Sequence, residues 1–122
     1  MSNKAAAIEF LTMAACGEVI EAYQRHVSPD FKHHNPYFAC DRQALLDGML
    51  QSAAAEPNKS LEIIRAMEAE DTVAVHSRLT RTATGAQYSV VHILRFKGRK
   101  ISEMWDIAQE VPTDSPNMLG MF

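Results

Sequence analysis

The spacing of apolar positions changes once along the chain, from helical in the first half to alternating in the second. Ile8, Leu11 and Ala15 recur at helical spacing behind Ser2 or Asn3, either of which can cap, and Gly17 suits the position just past a helix end. Val19, Ile20, Tyr23 and Val27 mark a second apolar stripe over Glu18 to His26, closed by Ser28-Pro29-Asp30. Asp41 reads as the N-cap of a third helix reaching about Ala54, with Leu45, Leu46, Met49 and Ala53 inward and Pro57-Asn58 as its stop. From Ser60 the pattern alternates. Leu61, Ile63, Arg65 and Met67 oppose Glu62, Ile64 and Ala66, Glu70-Asp71 turns the chain into Thr72 to Thr80, and Thr82-Ala-Thr-Gly-Ala turns it again. Three helices followed by four strands in an antiparallel meander predict an α+β fold, with the first two helices lying over the sheet because neither is apolar all round.

The last two strands, within Gln87 to Gln109, flank the short basic link Lys-Gly-Arg-Lys at 97 to 100, where Gly98 can supply the positive φ of a hairpin turn. Alternation puts Tyr88, Val90, His92, Leu94 and Phe96 on one face of the first strand, and Met104, Asp106 and Ala108 on one face of the second. An odd-length loop or a bulge brings His92 directly across from Asp106. A two-residue loop without a bulge puts them on opposite faces. Either way Trp105 points away from Asp106.

Composition narrows the possibilities. With 122 residues, 47% hydrophobic and 22% charged, residues 1–122 make one globular domain with enough apolar content for a core. A net charge of −3 and a pI near 5.9 predict no nucleic-acid partner. No apolar run approaches the roughly 20 residues of a membrane span, and the start lacks a basic-then-apolar leader, so the expected location is cytoplasmic with no membrane partner. Cys16 and Cys40 lack metal-ligand spacing and read as reduced packing residues. The five histidines show no helical i, i+4 pairing beside a carboxylate, which predicts no metal site. The Lys97 to Lys100 run reads as a solvated turn. The apolar end of the tail, Leu-Gly-Met-Phe at 119 to 122, is expected to pack back on its own subunit or a neighbour.

The most chemically loaded irregular segment is Phe31 to Asp41. Pro36 holds Asn35 extended, and in an extended chain His33 and His34 point to opposite sides, so at most one of them faces a pocket. The order of elements resembles a known family, and so do the local motifs. These are His-His-Asn-Pro-Tyr-Phe at 33 to 38, Pro-Asn-Lys-Ser at 57 to 60, Val-Ala-Val-His-Ser at 73 to 77, Val-His-Ile-Leu-Arg-Phe at 91 to 96, Lys-Ile-Ser-Glu-Met-Trp-Asp at 100 to 106 and the Gly-Met-Phe end. Together they resemble the SnoaL-like polyketide cyclases of the nuclear transport factor 2-like superfamily. The resemblance covers nearly the whole chain. It implies N-terminal helices packed in the concave face of a strongly curved antiparallel sheet, a cone-shaped α+β barrel. It also implies an aspartate and a histidine from the last two strands in the pocket, matched here by Asp106 and His92, fourteen residues apart. Asn35 falls near an expected entrance-side residue. Cys40, where the family pattern has glycine, and Val90, where characterised cyclases carry a polar pocket residue, are departures that bear on substrate and reaction.

The chemistry implied is an aldol-type ring closure on a small apolar carbonyl compound, with no metal and no organic cofactor. Asp106 is the candidate base, its pKa raised by burial with a cationic His92 opposing, and His92 is the candidate donor to the enolate or alkoxide. Asn35, His34, Tyr88, Val90 and Met104 are the candidate substrate-binding residues. A ketosteroid-isomerase-like isomerase and a noncatalytic binding protein for a small apolar ligand are the alternatives, because a His facing an Asp on paired strands also serves as a plain buried hydrogen bond that fixes register. The faces of His76 and Ser77 stay open, with His76 read as a satisfied polar group. The outer face, with Arg95, Glu103 and Trp105, together with the resemblance, predicts a homodimer.

Overall fold

A computed structural model describes residues 1–57 and 59–122. Helices α1 (Asn3–Ala15), α2 (Val19–His26) and α3 (Arg42–Ala55) alternate with and precede strands β1 (Val27–His34), β2 (Ser60–Ala69), β3 (Thr72–Thr80), β4 (Gln87–Lys97) and β5 (Lys100–Glu110). Ser2 caps α1 by accepting from the Ala5 amide at 3.0 Å, and Asp41 caps α3 by accepting from the Ala44 amide at 3.0 Å. Of the Pro57-Asn58 stop and the 57 to 60 motif, Asn58 lies outside the described residues. No helix among the described residues is long and apolar enough to cross a membrane.

The sheet has the order β1-β5-β4-β3-β2, antiparallel throughout except for β1, which runs parallel to β5. This edge strand replaces the loop expected after Pro29. Proline is tolerated there because an edge strand leaves one row of amides unpaired. The β2–β3 and β4–β5 pairs each carry a bulge. Ile63 pairs with Ser77 but Arg65 with His76, leaving Ile64 extra; Phe96 pairs with Ile101 but Arg95 with Glu103, leaving Ser102 extra. The first bulge also corrects the alternation expected for β2. Leu61, Ile63 and Ala66 pack on the core, whereas Arg65 and Met67 are exposed.

The helices cover the inner face. Phe10, Leu11, Tyr23 and Leu45 are buried against Val75, Leu94, Ile101 and Met104. Tyr23 packs its ring edge on Phe31 with centroids 6.1 Å apart. Of the stripe expected for the second helix, Val19, Tyr23 and Val27 are buried, whereas Ile20 is exposed and Ala22 is buried in its place. Lys100 is not simply solvated, since its ammonium donates to the Gln24 and Arg25 carbonyls that end α2, at 3.1 and 2.7 Å. Cys16 and Cys40 are free and exposed, so neither is the packing residue expected. At the tail, Phe122 packs back on the outer face against His76 and Arg78, while Met118 and Leu119 stand exposed.

Candidate active site

The second bulge decides the parity question. Lys97 pairs with Lys100 across a two-residue turn, Gly98-Arg99, in which Gly98 takes a φ of 63°. That turn alone would have separated the two residues. The extra Ser102 shifts the register by one, and His92 then pairs directly with Asp106.

Both point into a cavity of about 570 Å³ between the helices and the concave sheet, a size typical of small-molecule sites. Its deep end is apolar, with Phe10, Leu45 and Met104 almost fully buried. Val90 and Tyr88 continue the wall along β4. Phe38 and the largely exposed Tyr37 also line it, from the loop after β1. The Phe38 ring rests on α3 at Gly48, where any side chain would run into it. A glycine inside a helix costs roughly 0.5–1 kcal/mol relative to alanine, and here it makes room for the ring.

Three groups converge on the polar spot of this cavity. Asn35 donates from Nδ2 to Asp106 Oδ2 at 3.0 Å, and His92 Nε2 stands 3.6 Å from the same oxygen, longer than an ordinary hydrogen bond. Asp106 Oδ1 carries no hydrogen bond among the described residues. One carboxylate oxygen is therefore anchored and the other free. Burial pushes the Asp106 pKa up, but contact with His92 and the hydrogen bond from Asn35 outweigh it, and the net shift is downward. The rise expected from burial is thus reversed, and Asp106 is ionised at neutral pH. On the far side of its ring, His92 Nδ1 is buried without a partner among the described residues, as is Ser77 Oγ on β3.

Asn35 owes its position to His33. In the β1–β5 register His33 pairs with Met104 and His34 with Trp105, so His33 faces in and His34 faces out. The His33 ring accepts from the Asn35 amide at Nδ1 (3.0 Å) and donates from Nε2 to the Ala39 carbonyl (2.6 Å), which fixes a neutral tautomer and closes the 35 to 39 loop. Asn35 Oδ1 in turn accepts from the Tyr37 amide at 3.0 Å. His34, expected in the pocket, lies outside the cavity lining. It contacts Glu103 Oε2 through Nε2 at 2.7 Å and stacks on Trp105 with ring centroids 4.9 Å apart. Asn35, Tyr88, Val90 and Met104 all line the cavity. His33 does not line the cavity itself; it is buried on the same face of β1 as Phe31 and acts on the site through Asn35. His76 faces outward and meets Ser89 Oγ at 2.8 Å. No three His, Cys, Asp or Glu side chains among the described residues gather as a possible metal site.

Comparison with known proteins agrees with this architecture. None of the curated proteins compared with the chain matches it. Among solved structures, AclR from Streptomyces galilaeus, described as a proposed hydroxylase, shares 24% identity, with 88% of each chain covered and a TM-score of 0.75. IdmH from Streptomyces antibioticus, a proposed polyketide cyclase, shares 18%, covering 89% of this chain and 93% of its own, with a TM-score of 0.71. An NTF2-like protein of unknown function from Burkholderia xenovorans shares 16%, covering 93% and 87%, with a TM-score of 0.74. At these identities the likeness is one of fold. The family model of the SnoaL-like domain matches residues 7–104, and the chain belongs to that family, on an NTF2-like α+β fold.

Proposed function

We propose that the chain is a cofactor-independent enzyme that closes a ring in a small carbonyl compound by an aldol-type step, with Asp106 as the base. The observation that carries this reading is the asymmetry of the Asp106 carboxylate. Oδ2 is held by Asn35 beside His92, and Oδ1 is free in an apolar cavity. Oδ1 takes a proton from the carbon α to a carbonyl, and the C–H electron pair becomes the enolate. The enolate carbon then attacks a second carbonyl of the same molecule, and the resulting alkoxide recovers the proton from Asp106. In this reading His92 Nε2, which stands 3.6 Å from the carboxylate, donates to the enolate or alkoxide oxygen. The cyclase description of IdmH supports the reaction class.

A depressed pKa makes Asp106 a weaker base than a carboxylate raised by burial, so positioning must supply much of the acceleration. The test is turnover of a linear polycarbonyl compound by Asp106→Asn, which keeps the shape of the side chain. A loss of about 10²- to 10⁴-fold with an unchanged fold is expected. Full activity in the variant would remove Asp106 from the mechanism, whereas no turnover by the wild type would leave the noncatalytic binding protein as the reading. We further propose a homodimer through the outer sheet face around Trp105 and Glu103. Sedimentation showing a monomer at every concentration would refute it.

A further inference from the structure

The cavity has a second polar end that the Asp106 chemistry does not use. Ser52, Glu56 and Lys59, from the end of α3 and the approach to β2, line it together with Arg81 and Tyr88 from the β3–β4 turn and the start of β4. Tyr88 and His92 are four residues apart on β4, so the two ends are separated by about 13 Å at roughly 3.3 Å per residue. Apolar Leu61, Leu79, Val90 and Ala53 line the space between them.

The charges at this end do not cancel. Glu56 is already committed, accepting from Arg81 Nε at Oε2 and from Arg81 Nη2 at Oε1, both at 3.0 Å, a two-pronged contact that uses both of its oxygens. Lys59 stands outside that pair. Its ammonium donates to Ser52 Oγ, and no carboxylate among the described residues lies within ion-pair distance of it. Lys59 and Arg81 against Glu56 leave one net positive charge at this end of the cavity. Withdrawal from water lowers the Lys59 pKa, with Glu56 opposing the shift and Arg81 adding to it, so an anion placed beside the ammonium would be stabilised. The opposite end, by contrast, presents the free oxygen of an ionised carboxylate and repels anions.

We infer that Lys59, held by Ser52 at the end of the cavity that Tyr88 also lines, forms a subsite for the carboxylate head of an elongated organic acid, which orients the ligand with its neutral carbonyl portion toward Asp106. This names the ligand class of the function proposed above and rests on that reading for the reaction, while the subsite itself stands on its own charges. The test is calorimetric titration with 2-naphthoate and with 2-naphthamide, which has a similar shape and no charge. The wild type should bind the acid about tenfold more tightly or better, as expected of a charge-assisted hydrogen bond in a partly desolvated site. That preference should shrink with added salt and vanish in Lys59→Met and in Lys59→Gln. It should persist in Asp106→Asn, so a failure of the catalytic reading is visible separately as unchanged turnover in that variant. Equal affinity for the two probes in the wild type, including no measurable binding of either, overturns the inference. A preference that survives both Lys59 substitutions does so as well.

Discussion

The two faces of the β1–β5–β4 sheet carry the same kinds of residue and put them to different uses. On the outer face His34 and Arg95 contact the two different oxygens of Glu103, and the His34 ring stacks flat on Trp105. Both oxygens of that carboxylate are engaged, and the network ties β1 to β5 and β5 to β4. On the inner face His92 and Asn35 approach one oxygen of Asp106, the other is free, and His92 Nδ1 has no partner among the described residues. A His-carboxylate pair is therefore not informative by itself. What separates a structural pair from a reactive one is hydrogen-bonding capacity left open toward a cavity.

The comparison can be broken most sharply by exchanging the two carboxylates for amides. Asp106→Asn should cost the roughly 10²- to 10⁴-fold expected of a positioned base, whereas Glu103→Gln should leave turnover unchanged. A Glu103→Gln loss as large as that of Asp106→Asn would erase the distinction between the faces. Next in size is Asn35→Ala, which removes the anchor on Oδ2. Turnover should fall about tenfold, consistent with loss of a charge-assisted hydrogen bond. Because Asn35 helps depress the Asp106 pKa, the acidic limb of the rate profile, below the ordinary aspartate range in the wild type, should move to higher pH in this variant. An unmoved limb would show that Asn35 does not act on Asp106.

His33→Leu should act one step further back. Losing the ring that binds both the Asn35 amide and the Ala39 carbonyl should destabilise the protein by about 1–3 kcal/mol, since those groups lose their partners. It should also shift the acidic limb in the same direction as Asn35→Ala, which a purely structural loss would not do. The smallest effect belongs to Glu103→Gln on stability, no more than about 1 kcal/mol, because His34 and Arg95 are each about half exposed to water. Contact with His34, opposed by burial and aided by Arg95, lowers the Glu103 pKa. Its contribution to stability is thus present above the unfolded carboxylate pKa and lost as pH falls through the lower folded value. Acid denaturation followed by circular dichroism should lose that component in the Gln variant.

Much of the fold was readable from periodicity, and the exceptions have physical causes. The helices and the four-strand meander follow from apolar spacing because each element buries one face. Strand β1 escaped because Ser28-Pro29-Asp30 reads as a break, and only its place at the sheet edge makes Pro29 acceptable. With β1 unassigned, His33 and His34 could not be told apart. The bulges at Ile64 and Ser102 were equally hidden, since an extra residue in a strand changes register without any local signature of its own. The Asp106–His92 pairing was legible only as a condition on that register. Lys59 and Arg81, twenty-two residues apart in sequence, flank the paired Ser60 and Thr80 of the β2–β3 hairpin, and Glu56 joins them from just beyond α3.

The central claim is that Asp106 removes a proton α to a carbonyl, and it can be tested without the natural substrate. Nuclear magnetic resonance in D₂O can follow exchange of the α-protons of 2-tetralone with wild type, with Asp106→Asn and with buffer alone. Exchange accelerated by the wild type, and returned to the buffer rate by Asp106→Asn, is the predicted result. Wild-type exchange at the buffer rate, or acceleration that survives Asp106→Asn, would contradict it.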